Sequence, residues 1–140
     1  MKLLRVDMDQ LLVKWEAVPA VYERLGGRAL IARVLLEEVP PTCDALGPHN
    51  RLIFAPGLLG GVNVTTCGRL SVGGKSPLTR GVKEANAGGT AGDALGKLDI
   101  KAIIVQGQAT KNHWYLLHIQ GEEVELLPAD DLLGLGTYAT

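Results

Sequence analysis

Two glycine-rich segments carry the residue types best suited to holding an anion. One is Thr65-Thr66-Cys67-Gly68-Arg69, with Lys75-Ser76 downstream. The other is Asn86-Ala87-Gly88-Gly89-Thr90. Glycine tolerates positive φ and lets a ligand approach the backbone closely. A run of exposed backbone N–H groups ahead of a helix is a natural anion site. If the two segments converge, Arg69 and Lys75 supply positive charge, and Gly88 and Gly89 supply unshielded amides. Ser76, Thr66 and Thr90 add hydroxyls, and the set suits a phosphate. Glycine-rich loops also serve turn geometry alone, and composition does not separate the two roles. Gly73-Gly74-Lys75-Ser76 has the ending of a P-loop, but Arg69 stands where that pattern requires its first glycine. Gly88-Gly89-Thr90-Ala91-Gly92 does not have the dinucleotide spacing.

The remaining reactive residue types have simpler readings. Cys43 and Cys67 lie 24 positions apart with no CxxC pairing. They read as free thiols in a reducing compartment, neither a disulfide scaffold nor a zinc or four-thiolate iron–sulfur site. His49, His113 and His118 are scattered over a loop and a hairpin and read as surface or satisfied histidines. Trp15 and Trp114 read as packing residues. Asp7, Asp9, Asp130 and Asp131 read as turn and cap residues, and Glu122, Glu123 and Glu125 as a solvated hairpin face. No catalytic residue is assigned.

The elements that must position the glycine segments follow from pattern. The chain has 140 residues, 46% hydrophobic and 21% charged, which suits one folded domain. A net charge of -1 gives no field for a nucleic-acid backbone or a polycation. Glycine numbers 18, well above the usual share, and aromatics are 4%, so the core rests on Leu, Val, Ile and Ala. The N-terminal run is too short for a signal peptide and no apolar stretch is long enough for a membrane helix; a soluble, cytoplasmic chain is expected. Leu3–Val6 and Leu11–Trp15 read as a hairpin, Pro19 to about Leu25 as a short helix, and Arg28 to about Val39 as a second. Leu30, Ile31, Val34 and Leu35 mark the buried face of the latter, and Pro40-Pro41 ends it. Arg51–Ala55, Gly68–Val72 and Ala102–Gln106 read as strands. Pro56–Thr66 and Gly73–Gly81 read as irregular, and Glu84–Leu95 as a glycine turn feeding a helix over about Thr90–Leu98. Trp114–Ile119 and Glu122–Leu127 form a second hairpin, and Pro128–Leu133 begins a helix. The class is α+β, with mixed sheets, hairpins and short helices.

The order of these blocks resembles the N-terminal domain of the tungsten-dependent aldehyde:ferredoxin oxidoreductases. The matching residues are Gly27-Arg28-Ala29-Leu30, Asn50-Arg51-Leu52-Ile53-Phe54-Ala55-Pro56-Gly57, Thr66-Cys67-Gly68-Arg69 and Lys75-Ser76-Pro77-Leu78-Thr79. They continue with Ala85-Asn86-Ala87-Gly88-Gly89 and Ala102-Ile103-Ile104-Val105-Gln106-Gly107. The resemblance implies that residues 1–140 are one truncated domain that binds a pterin cofactor, an incomplete copy of the family's first domain. In that family two pterin dithiolenes hold one tungsten, or molybdenum, and a magnesium ion bridges their phosphates. By the same resemblance Arg69 contacts the pterin, the Asn86 backbone carbonyl faces the magnesium, and Gly88 brings backbone close to the cofactor. Gly89, Lys75 and Ser76 complete the candidate set. Cys67 and Arg80 depart from the family pattern, at positions where small residues and glycine are usual. The resemblance further implies aldehyde oxidation to a carboxylic acid, with electrons passed to ferredoxin through a 4Fe-4S cluster that is not on this chain. Family enzymes are several hundred residues long, so the expected partners are the remaining domains or subunits, and this chain alone is expected to be inactive. The alternative is a standalone, non-catalytic module that binds or carries a pterin or is a structural relic; as a homodimer it would supply the missing half of the cradle from a second copy. No nucleic-acid or membrane partner is expected.

Overall fold

The computed structural model describes residues 1–62, 64–109 and 113–139. Strands β1 (Lys2–Asp7) and β2 (Leu12–Ala17) form the first hairpin, followed by helix α1 (Gly27–Glu38). Then come β3 (Arg51–Pro56), β4 (Leu70–Lys75), β5 (Val82–Ala87), helix α2 (Ala91–Lys97) and β6 (Ile100–Gln106). A second hairpin, β7 (Tyr115–Gln120) and β8 (Glu123–Pro128), closes the order. Six strands make one sheet in the order β2-β1-β6-β3-β4-β5. Only β1 and β6 pair in parallel within it.

Alternation along the central strands gives the sheet two apolar faces. Leu3, Ile53, Ala55, Ala102 and Ile104 pack with Leu30, Ile31, Val34 and Leu35 of α1 on one face. Leu4, Val6, Ile100 and Ile103 face the other way, against Leu95 of α2 and Leu117, Ile119, Val124 and Leu126 of the second hairpin. The molecule is therefore a layered α+β domain: helix, six-stranded sheet, then a small helix beside a two-stranded sheet. Arg5 and Arg51 both reach Glu38 at the last turn of α1, at 2.8 and 3.5 Å, and Arg5 also bonds Glu16 at 2.9 Å. In the first turn, Asp7 Oδ1 accepts the backbone N–H groups of Asp9 and Gln10, the Asx geometry that allows a tight reversal without an Asn-Gly pair.

Several expectations need correction. Gly73, Gly74 and Lys75 are strand, not loop. Their glycines answer to close packing. A Cβ on Gly73 would lie 2.8 Å from Ile31 Cγ2, and one on Gly74 would lie 2.5 Å from the Arg51 carbonyl. Residues 82–87 form an edge strand instead of the start of a turn. The helix expected from Pro19 shrinks to a 3-10 turn, Ala20–Tyr22, and the one expected from Pro128 shrinks to Asp130–Leu132. The latter runs into Gly134 at φ +84.

Candidate functional site

Leu70 pairs with Ala87 across β4 and β5. Arg69 and Gly88 therefore stand just past the same end of that ladder, beside neighbouring strands. The contact between the two bends is closer still. A Cβ on Gly68 would lie 2.7 Å from the Gly89 carbonyl oxygen and 3.1 Å from Asp93 Oδ2. A Cβ on Gly92 would lie 2.5 Å from the Gly68 carbonyl and 2.8 Å from the Arg69 carbonyl. Gly88 and Gly89 are the reverse case, with nothing within 4 Å of their missing side chains. Gly89 has φ +107, a backbone state that favours glycine. The arrangement is a packed seam at Gly68 and Gly92 with open glycine backbone beside it.

Arg69 is exposed, and among the described residues its guanidinium makes no hydrogen bond or ion pair. A free cation beside open amides is what an anionic group requires. Thr90 caps α2 without a side-chain hydrogen bond, which leaves its hydroxyl free of that duty. Asn86 engages its side chain locally: it donates to Glu84 and accepts from Ser71 Oγ at 3.3 Å. It lies on β5, the outermost strand, where alternate backbone carbonyls have no strand partner. Asp93 Oδ1 accepts the Gly61 N–H at 3.2 Å and ties the β3–β4 connection to α2. Thr66 turns its hydroxyl back onto the Thr65 carbonyl at 2.6 Å and holds φ +64, a strained state for a β-branched residue.

The structure does not bring Lys75 and Ser76 to this group. They stand at the other end of β4, six and seven residues on from Arg69, which at about 3.3 Å per residue is roughly 20 Å or more. Lys75 Nζ donates to the carbonyls of Pro41 and Cys43 at 2.6 and 2.5 Å. Buried Ser76 accepts the Thr79 N–H at 3.2 Å. Both residues hold the β4–β5 turn and the loop after α1. Arg80, in that turn, has φ +59, which explains why a glycine suits the position. Of the residues set aside for packing, Trp15 joins the second core, whereas Trp114 is 56% exposed. His113 pairs with Asp130 at 3.1 Å. Among the described residues no group of three or more His, Cys, Asp or Glu side chains could hold a metal.

Sequence reasoning missed why α2 is so rich in glycine. Gly92 and Gly96 are four apart, on one helical face. Gly92 abuts Gly68–Arg69, and Gly96 abuts Gly60–Gly61 with no room for a side chain. The helix thus clamps both ends of the β3–β4 connection by direct backbone contact. The i, i+4 spacing of two glycines within a predicted helix was the available signal.

Residues 3–140 match the family described as the aldehyde ferredoxin oxidoreductase N-terminal domain. The chain belongs to that family. The tungsten-containing aldehyde ferredoxin oxidoreductase of Pyrococcus furiosus is 41% identical over 110 residues, 79% of this chain and 18% of the relative. The enzyme of the same description from Pyrococcus horikoshii is 38% identical over 135 residues, 95% of this chain and 22% of the relative. Among solved structures, the active site complex BamBC of benzoyl coenzyme A reductase, bound to 1,5-dienoyl-CoA, superposes with a TM-score of 0.87 at 30% identity. That match covers 95% of this chain and 20% of the other. The chain thus spans about a fifth of the length of these oxidoreductases, and no helix among the described residues is long and apolar enough to cross a membrane.

Proposed function

We propose that this chain is the N-terminal, pterin-cofactor-binding part of a tungsten- or molybdenum-dependent aldehyde:ferredoxin oxidoreductase working in the cytoplasm. The observation that carries the reading is the juxtaposition of the unpaired Arg69 with the open backbone of Gly88 and Gly89. The residues fit the group: a cation and unshielded amides for the cofactor's phosphates, and space where a side chain would stand. Arg69 binds the anionic end, Gly88 and Gly89 let the ligand approach main chain, and the Asn86 carbonyl is offered to magnesium, a hard cation that takes oxygen ligands. When bound, the metal and its dithiolenes supply the redox chemistry that converts an aldehyde to a carboxylic acid. The role of this chain is to bind and orient that group by its phosphate side. Two cysteines cannot house the 4Fe-4S cluster that passes electrons to ferredoxin, so that cluster belongs to the remaining domains or subunits. Alone, the chain has no turnover.

The reading is tested by adding pterin cofactor, released from a tungsten enzyme of the family, to the chain under anaerobic conditions. The expected result is a rise in pterin fluorescence anisotropy that Arg69→Glu abolishes. No rise with the unsubstituted chain would overturn it. One observation favours a second reading, a non-catalytic homodimer: β5 is an open sheet edge immediately beside the site. Light scattering decides it, with a dimer mass supporting self-pairing and a monomer mass removing it.

A further inference from the structure

β5 ends the sheet, and its outer edge carries a row of main-chain groups with no strand beside them. The Ser76 N–H donates to the Gly81 carbonyl at 2.8 Å, which makes that pair a hydrogen-bonded one. Continuing the register, Gly74–Lys83 and Val72–Ala85 are hydrogen-bonded in turn, so the N–H and C=O groups of Val82, Glu84 and Asn86 point away from β4. The side chains of these three residues lie on the α1 face, since Glu84 pairs with Gly73, whose missing side chain abuts Ile31 of α1. Between this edge and the exit of α1 runs a groove of about 230 Å³, lined by Leu35, Leu36, Val39 and Pro40 on one side and by Gly81 and Val82 on the other. Leu36 is 79% and Val82 55% exposed, so no segment among the described residues covers it. Arg80 lines the same groove just before β5. It is exposed, and among the described residues its guanidinium makes no hydrogen bond or ion pair. Its φ of +59 disfavours any side chain, and yet the turn carries this one. Lys75 beside it is held by the carbonyls of Pro41 and Cys43.

We propose that β5 and this groove bind an extended peptide that ends in an apolar residue with a free carboxylate. The peptide adds a strand antiparallel to β5 and exchanges main-chain hydrogen bonds with Val82, Glu84 and Asn86. That direction, and not the parallel one, brings its C-terminal carboxylate to Arg80, which precedes β5. The last side chain, opposite Val82, lies on the α1 face and enters the groove beside Leu36. The side chain two residues earlier comes opposite Glu84, whose carboxylate makes no ion pair among the described residues and favours a lysine or arginine there. Charge thus fixes both the direction and the sequence of the occupant. A second copy of β5 supplies no chain end for Arg80. The groove lies at the Val82 end of β5 and the glycine seam past its Ala87 end, so the inference does not depend on the cofactor reading.

The experiment uses the full chain and a fluorescein-labelled hexapeptide ending in Lys-Thr-Val, with either a free or an amidated C-terminus. The free-carboxylate peptide is expected to raise the anisotropy saturably, and the amidated one to bind about fivefold more weakly, the scale of one exposed ion pair. Arg80→Gln should bring the two peptides to equal affinity, and Leu36→Glu should abolish binding of both. Amide hydrogen exchange of the unsubstituted chain should slow at Val82, Glu84 and Asn86 when the free-carboxylate peptide is added, and stay unchanged at Lys83 and Ala85. An unchanged anisotropy, equal affinity of the two peptides for the unsubstituted chain, or protection confined to other segments would overturn the proposal, and none of these comparisons needs a variant to fold. Light scattering that shows a dimer which excess peptide does not dissociate would overturn it too, because a second copy would then hold the edge.

Discussion

Gly68 and Gly88 serve the seam in opposite ways, and substitution separates them. At Gly68 an added methyl meets the Gly89 carbonyl at 2.7 Å, a backbone atom that cannot swing aside. Gly68→Ala should cost about 1–3 kcal/mol, read as a lower urea midpoint. Gly88 has open space, so Gly88→Ala should leave the midpoint within about 0.5 kcal/mol. It should still weaken pterin binding in the anisotropy assay, because the methyl occupies the ligand's approach. Arg80 offers the converse. Its φ of +59 carries the left-handed penalty of an L-residue. Arg80→Gly should raise stability by about 0.5–1 kcal/mol, the relief of strain less the added freedom of the unfolded chain. That Arg69 and Gly88 meet at one corner was legible from residue type and order. That Lys75 and Ser76 stand apart from them was not, because a Gly-Lys-Ser string reads the same whether the ammonium faces a ligand or, as here, two carbonyls of a neighbouring loop.

Among the elements, α1, β1, β3 and β6 could be read from the sequence because each carries apolar residues at the period of its own structure. β5 could not. Val82-Lys83-Glu84-Ala85-Asn86-Ala87 has little strand propensity, and it is held by its ladder to β4. The two 3-10 turns were overread as helices for lack of a stop signal that outweighed Pro19 and Pro128. The elements are also tied by carboxylates with a defined pH signature. Gln106 and backbone amides hold the Asp7 carboxyl below its ordinary value, and Tyr22 and Arg33 do the same for Glu37 on α1. A carboxyl whose folded pKa is lowered adds stability that is fully present above its unfolded value. That stability is lost as pH falls through the folded value. The urea midpoint should therefore hold from neutral pH down to the ordinary carboxylate range and fall steadily below about pH 4. A midpoint that rises on acidification would contradict these pairings.

At the scale of the whole molecule, α2 and the sheet bring the loop after β3, the start of β4 and the end of β5 to one corner. The remaining four-fifths of the oxidoreductase length has no counterpart in this chain. Elemental analysis of the purified chain should accordingly find tungsten and molybdenum well below one per polypeptide; a stoichiometric metal would mean that this corner is a complete cradle. The most direct measurement is an amide-resolved NMR titration of the chain with inorganic pyrophosphate, the simplest mimic of the cofactor's phosphates. Shifts concentrated at Gly68, Arg69, Gly88 and Gly89, and reduced by Arg69→Glu, are the predicted result. Shifts centred on Lys75 and Ser76, or spread without focus over the surface, would contradict it.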